Sequence, residues 1–377
     1  MAANALSNFR FDIQALRALA VLLVVGFHFD VPGVSGGFIG VDIFYVISGY
    51  LISSLLMREL EEKGTVDLSA FYARRIKRLL PSAVLVFLVT IFAVTAVYSP
   101  HETRAATSSS IASLSYLSNF WFALNATDYL NATSSEDPFL HSWSLAVEEQ
   151  FYLIWPIIFF LMWKFKNRKR AVLIGLSCLT IVSFVCGLVV IQWNQPWAFF
   201  MSPLRAWEFS LGAIVLLVKK NSSRRFLSEI FLLTGFFTIL GAAYFYSNST
   251  FYPGAAALLP VIGTCAMLHA GENASPANAI IGRLVRTDFV QLIGNVSYSW
   301  YLWHWPVAVL LHELRYDSPL EKFYGILMSF VLALLTLYLI ENPVRRMRRL
   351  TTASYTTIVY GMGISAVAIA LAYSVPT

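Results

Sequence analysis

The chain has 377 residues, of which 58% are hydrophobic, 15% aromatic and 13% charged, with a formal net charge of +6. A soluble domain carries about 25% charged residues, so about half that share together with a mean hydropathy of +0.65 excludes an ordinary soluble enzyme and indicates an all-α polytopic membrane protein. The bases fall in short runs between apolar segments, which reports membrane orientation and not a nucleic-acid-binding face; Cys178, Cys186 and Cys265 lie in apolar runs without CxxC or Cys/His spacing, so neither a disulfide framework nor a metal site is expected.

A window of about 19 residues places eleven spans near 13–30, 38–57, 81–98, 139–163, 171–191, 200–218, 228–246, 252–270, 289–311, 320–340 and 353–373. The first carries "RALAVLLVVGFHF" (17–29), an arginine and a histidine at the two ends of an apolar stretch. No A-x-A-like cleavage site follows it, so it reads as a retained span and not a signal peptide. Eleven helical steps give about 16 Å of rise and three whole turns, so Arg17 and His28 share one face about half a bilayer apart. Ionisable groups inside a span are rare and usually functional. The alternative is snorkelling at both ends.

The second span opens "GVDIFYVISGY" (40–50), with Asp42 near one end and with Ser48 and Gly49 placed to let another helix approach closely. Before the third comes "FYARRIKRLLP" (71–81), in which Arg74, Arg75, Lys77 and Arg78 are an orientation signal. Arg75 and Arg78 are also three apart, so on a helical turn both forks face one way and suit a phosphate. The fourth span begins "HSWSLAVEEQFYLIWP" (141–156): Glu148 stands one turn before Tyr152, while Glu149 points about 100° away, toward Arg205 or solvent. Arg205 and Glu208 lie in "PLRAWEF" at the sixth span, and His304 lies in "YSWYLWHWP" at the ninth. There Trp300, Tyr301, Trp303 and Trp305 read as an interfacial aromatic belt, or as a platform for stacking a sugar.

The runs "ARRIKR" (73–78), "KFKNRKR" (164–170), "KKNSSRR" (219–225), Arg283 with Arg286, and "RRMRR" (345–349) alternate with polar, base-poor loops. The positive-inside rule then puts the N terminus in the cytoplasm and the C terminus outside. On this topology His28, Asp42, His141, Glu148, Glu149, Arg205, Glu208 and His304 occupy one outer layer on five helices, either a polar cavity open to the outside or a structural salt-bridge layer. The sequons at Asn125, Asn131 and Asn248 have meaning only in a eukaryotic secretory pathway. Without a strong repeat between halves, an inverted-repeat transporter is weakened as a reading.

Six motifs in this order resemble the acyltransferase-3 family of bacterial inner-membrane O-acyltransferases: the Arg17/His28 pair, "GVDIFYVISGYLI" (40–52), "FYARRIKRLLP", "HSWSLAVEEQFYLIWP", "YSWYLWHWP" and "ENPVR" (341–345). The resemblance implies an acyl-coenzyme A donor, most directly acetyl-coenzyme A, at the cytoplasmic face. The acceptor it implies is a hydroxyl of an envelope glycan, such as lipopolysaccharide O-antigen, on the other face. It assigns catalysis to Arg17 and His28 and the donor to Arg75 and Arg78, with Arg74 beside them, and its W-S-L-x-x-E glutamate maps to Glu148. Acceptor contacts are expected from Asp42, His141, Trp143, Arg205, Glu208, His304 and Trp305. The expected division is a ten-span acyltransferase domain (1–350) followed by an eleventh helix (351–377). Relatives with that ending usually continue into an outer SGNH hydrolase-type domain, which is expected to be missing here. A transporter or flippase of an anionic or glycan-linked substrate is the competing class, separated by thioester turnover.

Overall fold

The computed structural model describes residues 9–125, 137–218, 225–274, 280–347, 350 and 353–375, and these are predominantly helical with no strand among them. In chain order the helices are α1 (Phe11–His28), α2 (Gly40–Lys63), α3 (Leu68–Val97), α4 (Pro100–Leu114), α5 (Ser118–Leu124) and α6 (Ser142–Trp163). Next come α7 (Arg168–Val190), α8 (Gln195–Phe200), α9 (Ser202–Leu217), α10 (Arg225–Phe245) and α11 (Leu258–Ala274). The last are α12 (Ile280–Val285), α13 (Asp288–Glu313), α14 (Pro319–Thr336), α15 (Asn342–Arg346) and α16 (Ser354–Tyr373), with a π-helical turn, Leu337–Glu341, between α14 and α15. Each of the eleven expected segments coincides with a helix, and nine of these are long and apolar enough to cross a bilayer among the described residues. Helices satisfy their own backbone groups, which is what a segment in lipid requires. The Asn131 sequon and the loop 219–224 lie outside the described residues.

One boundary differs from expectation in a way that matters for the site. Hydropathy starts the third span at residue 81, yet α3 starts at Leu68 and carries the whole basic run within its first turns. A hydropathy window averages the four charges against the apolar residues and sees no span. The helix is instead nucleated locally: the Asp67 carboxylate accepts the Ala70 N–H at 2.9 Å, an N-cap. That bond, with one from Ser69, holds the Asp67 carboxyl below the usual carboxylate range.

The chain divides into two compact units. The first comprises residues 1–54, 172–184 and 206–297. In it α2 and α9 cross at glycines: a Cβ on Gly49 would collide with the Phe209 carbonyl, and one on Gly212 with the Val46 carbonyl. Small residues on both sides let the two backbones touch, as Ser48-Gly49 suggested. α1 seats against α11 and α13 in the same manner, with Gly271 facing Asp12 and Gly294 facing the Gln14 backbone. The second unit comprises residues 55–171, 185–205 and 298–377, so it includes α16. There Gly361 of α16 lies against Ile76 of α3, a Cβ coming within 2.6 Å of the isoleucine Cγ2.

Candidate functional site

In the first unit, Arg17 and His28 sit on α1. Arg17 turns its fork on one hydroxyl, with Nε and Nη2 donating to the Ser297 Oγ at 3.2 and 2.9 Å. Ser297 is fully buried, and its hydroxyl in turn donates a hydrogen bond to the Gly294 carbonyl at 2.9 Å. Arg17 is thus locked in the protein rather than reaching for an interface. His28, half-buried at the end of α1, rests against Phe27 with ring centroids 5.1 Å apart, and Phe27 meets Phe38 edge-on. Asp42 and Glu208 belong to this unit too, and both are fully buried. Burial, with the Asp42 carboxylate nearby, raises the Tyr246 phenol pKa above its ordinary value.

The second unit holds the remaining predicted residues. Arg74, Arg75, Lys77 and Arg78 of α3 line one cavity of about 320 Å³, and Arg345 of α15 joins them. Their commitments differ. Arg74 is 3.9 Å from Glu59, a buried carboxylate that Lys63 also reaches at 3.1 Å. Lys77 donates to the Met347 carbonyl at 2.8 Å. Arg345 pairs with Glu341 at 3.2 Å, and Glu341 accepts from the Ser299 hydroxyl at 3.0 Å. Arg75 and Arg78 make no side-chain hydrogen bond or ion pair among the described residues, so their forks are the donors the cavity has to offer. Arg75 does lie over the rings of Phe71 and Tyr152, each 5.9 Å from its guanidinium carbon.

This geometry alters the expected layering. The loop charges put Arg75 at an inner surface and Glu148 and Glu149 in an outer layer. Instead Arg75 stands over Tyr152, whose hydroxyl donates to Glu148, and Glu149 has Arg75 and Glu148 as its charged neighbours, not Arg205. The i, i+4 spacing made the Glu148–Tyr152 contact predictable. The depth shared by α3 and α6 was not predictable, because it depends on how the two helices slide against one another.

The other expected acceptor contacts are enclosed. His141 and His304 are both fully buried, with ring centroids 5.8 Å apart. Tyr301 joins them, donating to the His141 carbonyl at 3.0 Å, while the His304 Nδ1 lies 2.6 Å from the Tyr301 carbonyl. Trp143 packs on Phe199 and Phe200, and the buried Arg205 stacks over Phe199 at 5.7 Å. Trp300, Trp303 and Trp305 are buried, and their indole N–H groups are held by Ser329, Thr336 and the Asp137 carbonyl. The belt reading is therefore corrected: an interfacial belt exposes its rings at the headgroups, whereas these fill a core. No trio of His, Cys, Asp or Glu converges as a metal site among the described residues.

Two contributors were absent from the sequence reading. Arg345 figures in the sequence only within the "RRMRR" orientation run and the "ENPVR" motif, and Ser297 is a serine among many. A signal existed for Arg345, since Glu341 and Arg345 are i, i+4 and a buried glutamate calls for a cation.

Against known proteins, the family model described as "Acyltransferase domain" matches residues 10–342. The O-acetyltransferase OatA of Staphylococcus aureus is 30% identical over 359 residues, covering 89% of this chain and 57% of that protein. The peptidoglycan O-acetyltransferase OatA of Listeria monocytogenes is 30% identical over 352 residues, 89% of this chain and 56% of the other. The putative peptidoglycan O-acetyltransferase YrhL of Bacillus subtilis is 30% identical over 356 residues, with shares of 88% and 54%. The chain thus spans just over half the length of these relatives. No solved structure matches it.

Proposed function

This chain belongs to the acyltransferase-3 family, and on that premise we propose that it transfers an acetyl group from acetyl-coenzyme A to a hydroxyl of a cell-envelope glycan. The relatives' names point to peptidoglycan as the acceptor, which replaces the lipopolysaccharide O-antigen expected from the sequence. The observation that carries the donor assignment is the basic cavity. Five cationic side chains meet around about 320 Å³, and three of them already have protein partners while Arg75 and Arg78 keep their forks for an incoming phosphate. Bidentate guanidinium–phosphate pairing supplies both energy and orientation.

In the chemistry, the His28 imidazole accepts the proton of the acceptor hydroxyl as its oxygen attacks the thioester carbonyl. The carbon–sulfur bond breaks, an ester forms, and the proton leaves with the coenzyme A thiol. In the variant route His28 first takes the acetyl group itself and passes it on in a second displacement, releasing the thiol in the first. Arg17, anchored on Ser297, supplies a fixed positive charge inside a span, where it stabilises the polar arm of the donor. With the 73–78 run in the cytoplasm of a bacterial inner membrane, the donor enters from that side and the acceptor is met on the other.

The test uses purified protein in nanodiscs. Coenzyme A release from acetyl-coenzyme A is expected from the wild type when a glycan hydroxyl acceptor is supplied. His28→Ala should lower it by about 10²–10⁴ if the imidazole is a general base and abolish it if the acetyl group is carried on the ring, with monodisperse elution unchanged. Normal turnover in His28→Ala refutes the catalytic role. Glycan movement without thioester cleavage would make the protein a transporter.

A further inference from the structure

Arg75 lines a second cavity, of about 370 Å³, on the side of α3 away from the other bases. Its walls are Leu79 and Leu80 of α3 and Leu114 at the end of α4, and α16 adds a further wall with Gly361 and Ser365. Glu149 and Tyr116 complete it. The close seat of Gly361 on Ile76 draws α16 against α3, while Ser365 leaves room where a larger side chain would fill the space.

Three features mark this cavity as a binding site rather than a packing defect. Glu149, like Arg75, makes no side-chain hydrogen bond or ion pair among the described residues although the two are neighbours, and an enclosed polar group is costly unless its hydrogen-bonding capacity is met. The Arg75 Nε is buried without a partner. Tyr116 holds a left-handed backbone, φ +54°, unfavourable for a residue with a Cβ; it is kept there by the Gln150 side-chain amide, which donates to its carbonyl at 2.9 Å. Strain of this kind concentrates where a side chain must be aimed. Burial raises the Tyr116 phenol pKa well above its usual value, so it stays a proton donor.

The lining therefore offers donors (Arg75, Tyr116), a carboxyl (Glu149) and small hydroxyls along an apolar wall, and it meets the phosphate-binding cavity at Arg75. Phosphates joined to a chain that alternates amides and a hydroxyl with methyl and methylene groups match that layout. A lipid acyl chain would leave Glu149 and Tyr116 unmet. We propose that the cavity walled by α16 receives the part of the donor's pantetheine arm next to its phosphates, so that a helix beyond the matched family domain builds a wall of the donor site. The proposal rests on the coenzyme A reading above.

Two ligands separate the two ideas: coenzyme A, and adenosine 3′,5′-bisphosphate, which keeps phosphates on the nucleoside but has no arm. Their affinities would be measured by calorimetry on the full chain in nanodiscs for the wild type, for Ser365→Leu, which fills the cavity, and for Tyr116→Phe, which removes one hydroxyl without adding bulk. Coenzyme A should bind about tenfold more weakly to each variant, the effect of about one lost hydrogen bond or its equivalent in excluded contact. Adenosine 3′,5′-bisphosphate should bind all three proteins alike. Equal weakening of both ligands would show that the cavity only supports the basic pocket, and unchanged coenzyme A affinity would show that the arm runs elsewhere; either overturns the proposal. Failure of the wild type to bind either ligand would overturn the donor reading itself, and this one with it.

Discussion

The partner assignments around the basic cavity rank its arginines. Arg78→Ala removes a guanidinium with no partner among the described residues, so the whole of its phosphate interaction is lost and nothing in the protein is released. A charge-assisted hydrogen bond contributes about 1.5–3 kcal/mol, which is a factor of roughly 10–150 in Kd. Arg74 already shares Glu59 at 3.9 Å with Lys63, so Arg74→Ala should weaken binding several-fold less than Arg78→Ala. Arg78→Lys should recover only part of the loss, because a point charge cannot reproduce a planar fork. Stability should move the other way: five cations around one cavity repel one another, so Arg78→Ala should leave Tm unchanged or raise it. The assay is calorimetric titration of coenzyme A into each variant in nanodiscs, with Tm measured on the same samples. Equal losses for Arg74→Ala and Arg78→Ala would refute the ranking. Unchanged affinity in Arg78→Ala would refute the phosphate grip, leaving the run as an orientation signal.

Two further outcomes are expected from the first unit. Gly49→Ala should destabilise the protein by about 1–3 kcal/mol through overpacking, because the new Cβ meets the Phe209 backbone and not a movable side chain; an unchanged Tm in detergent would mean that α2 and α9 do not cross at this point. Arg17→Lys should lose acetyl transfer almost as fully as Arg17→Ala while both variants insert and elute normally, since one ammonium cannot make the two bonds to Ser297. Full activity with lysine would restore the snorkelling reading.

Much about this protein is local and so was legible in its residues. An apolar run of about 20 residues has few alternatives to a membrane helix, and all eleven expected segments are helical. Spacing within one helix told which side chains share a face: Arg75 with Arg78, Glu148 with Tyr152, and Gly49 on a surface meant for contact. Helical periodicity carries no information about which helix lies opposite, or at what height. That was decided by packing of small residues and by ridges meeting grooves. It is why Lys77 and Met347 meet across 270 positions of chain, why Arg345 completes a cavity begun on α3, and why Glu149 faces Arg75 and not Arg205. It also explains the aromatic run 300–305, whose composition suits a membrane interface but whose neighbours, Ser329, Thr336 and Asp137, take up the indole N–H groups and so let the rings sink into the core. The start of α3 was hidden for a related reason. A hydropathy window prices a charge as though it faced lipid, whereas four bases on one helix are tolerated when they line a cavity and find a carboxylate, a carbonyl or a ligand across it.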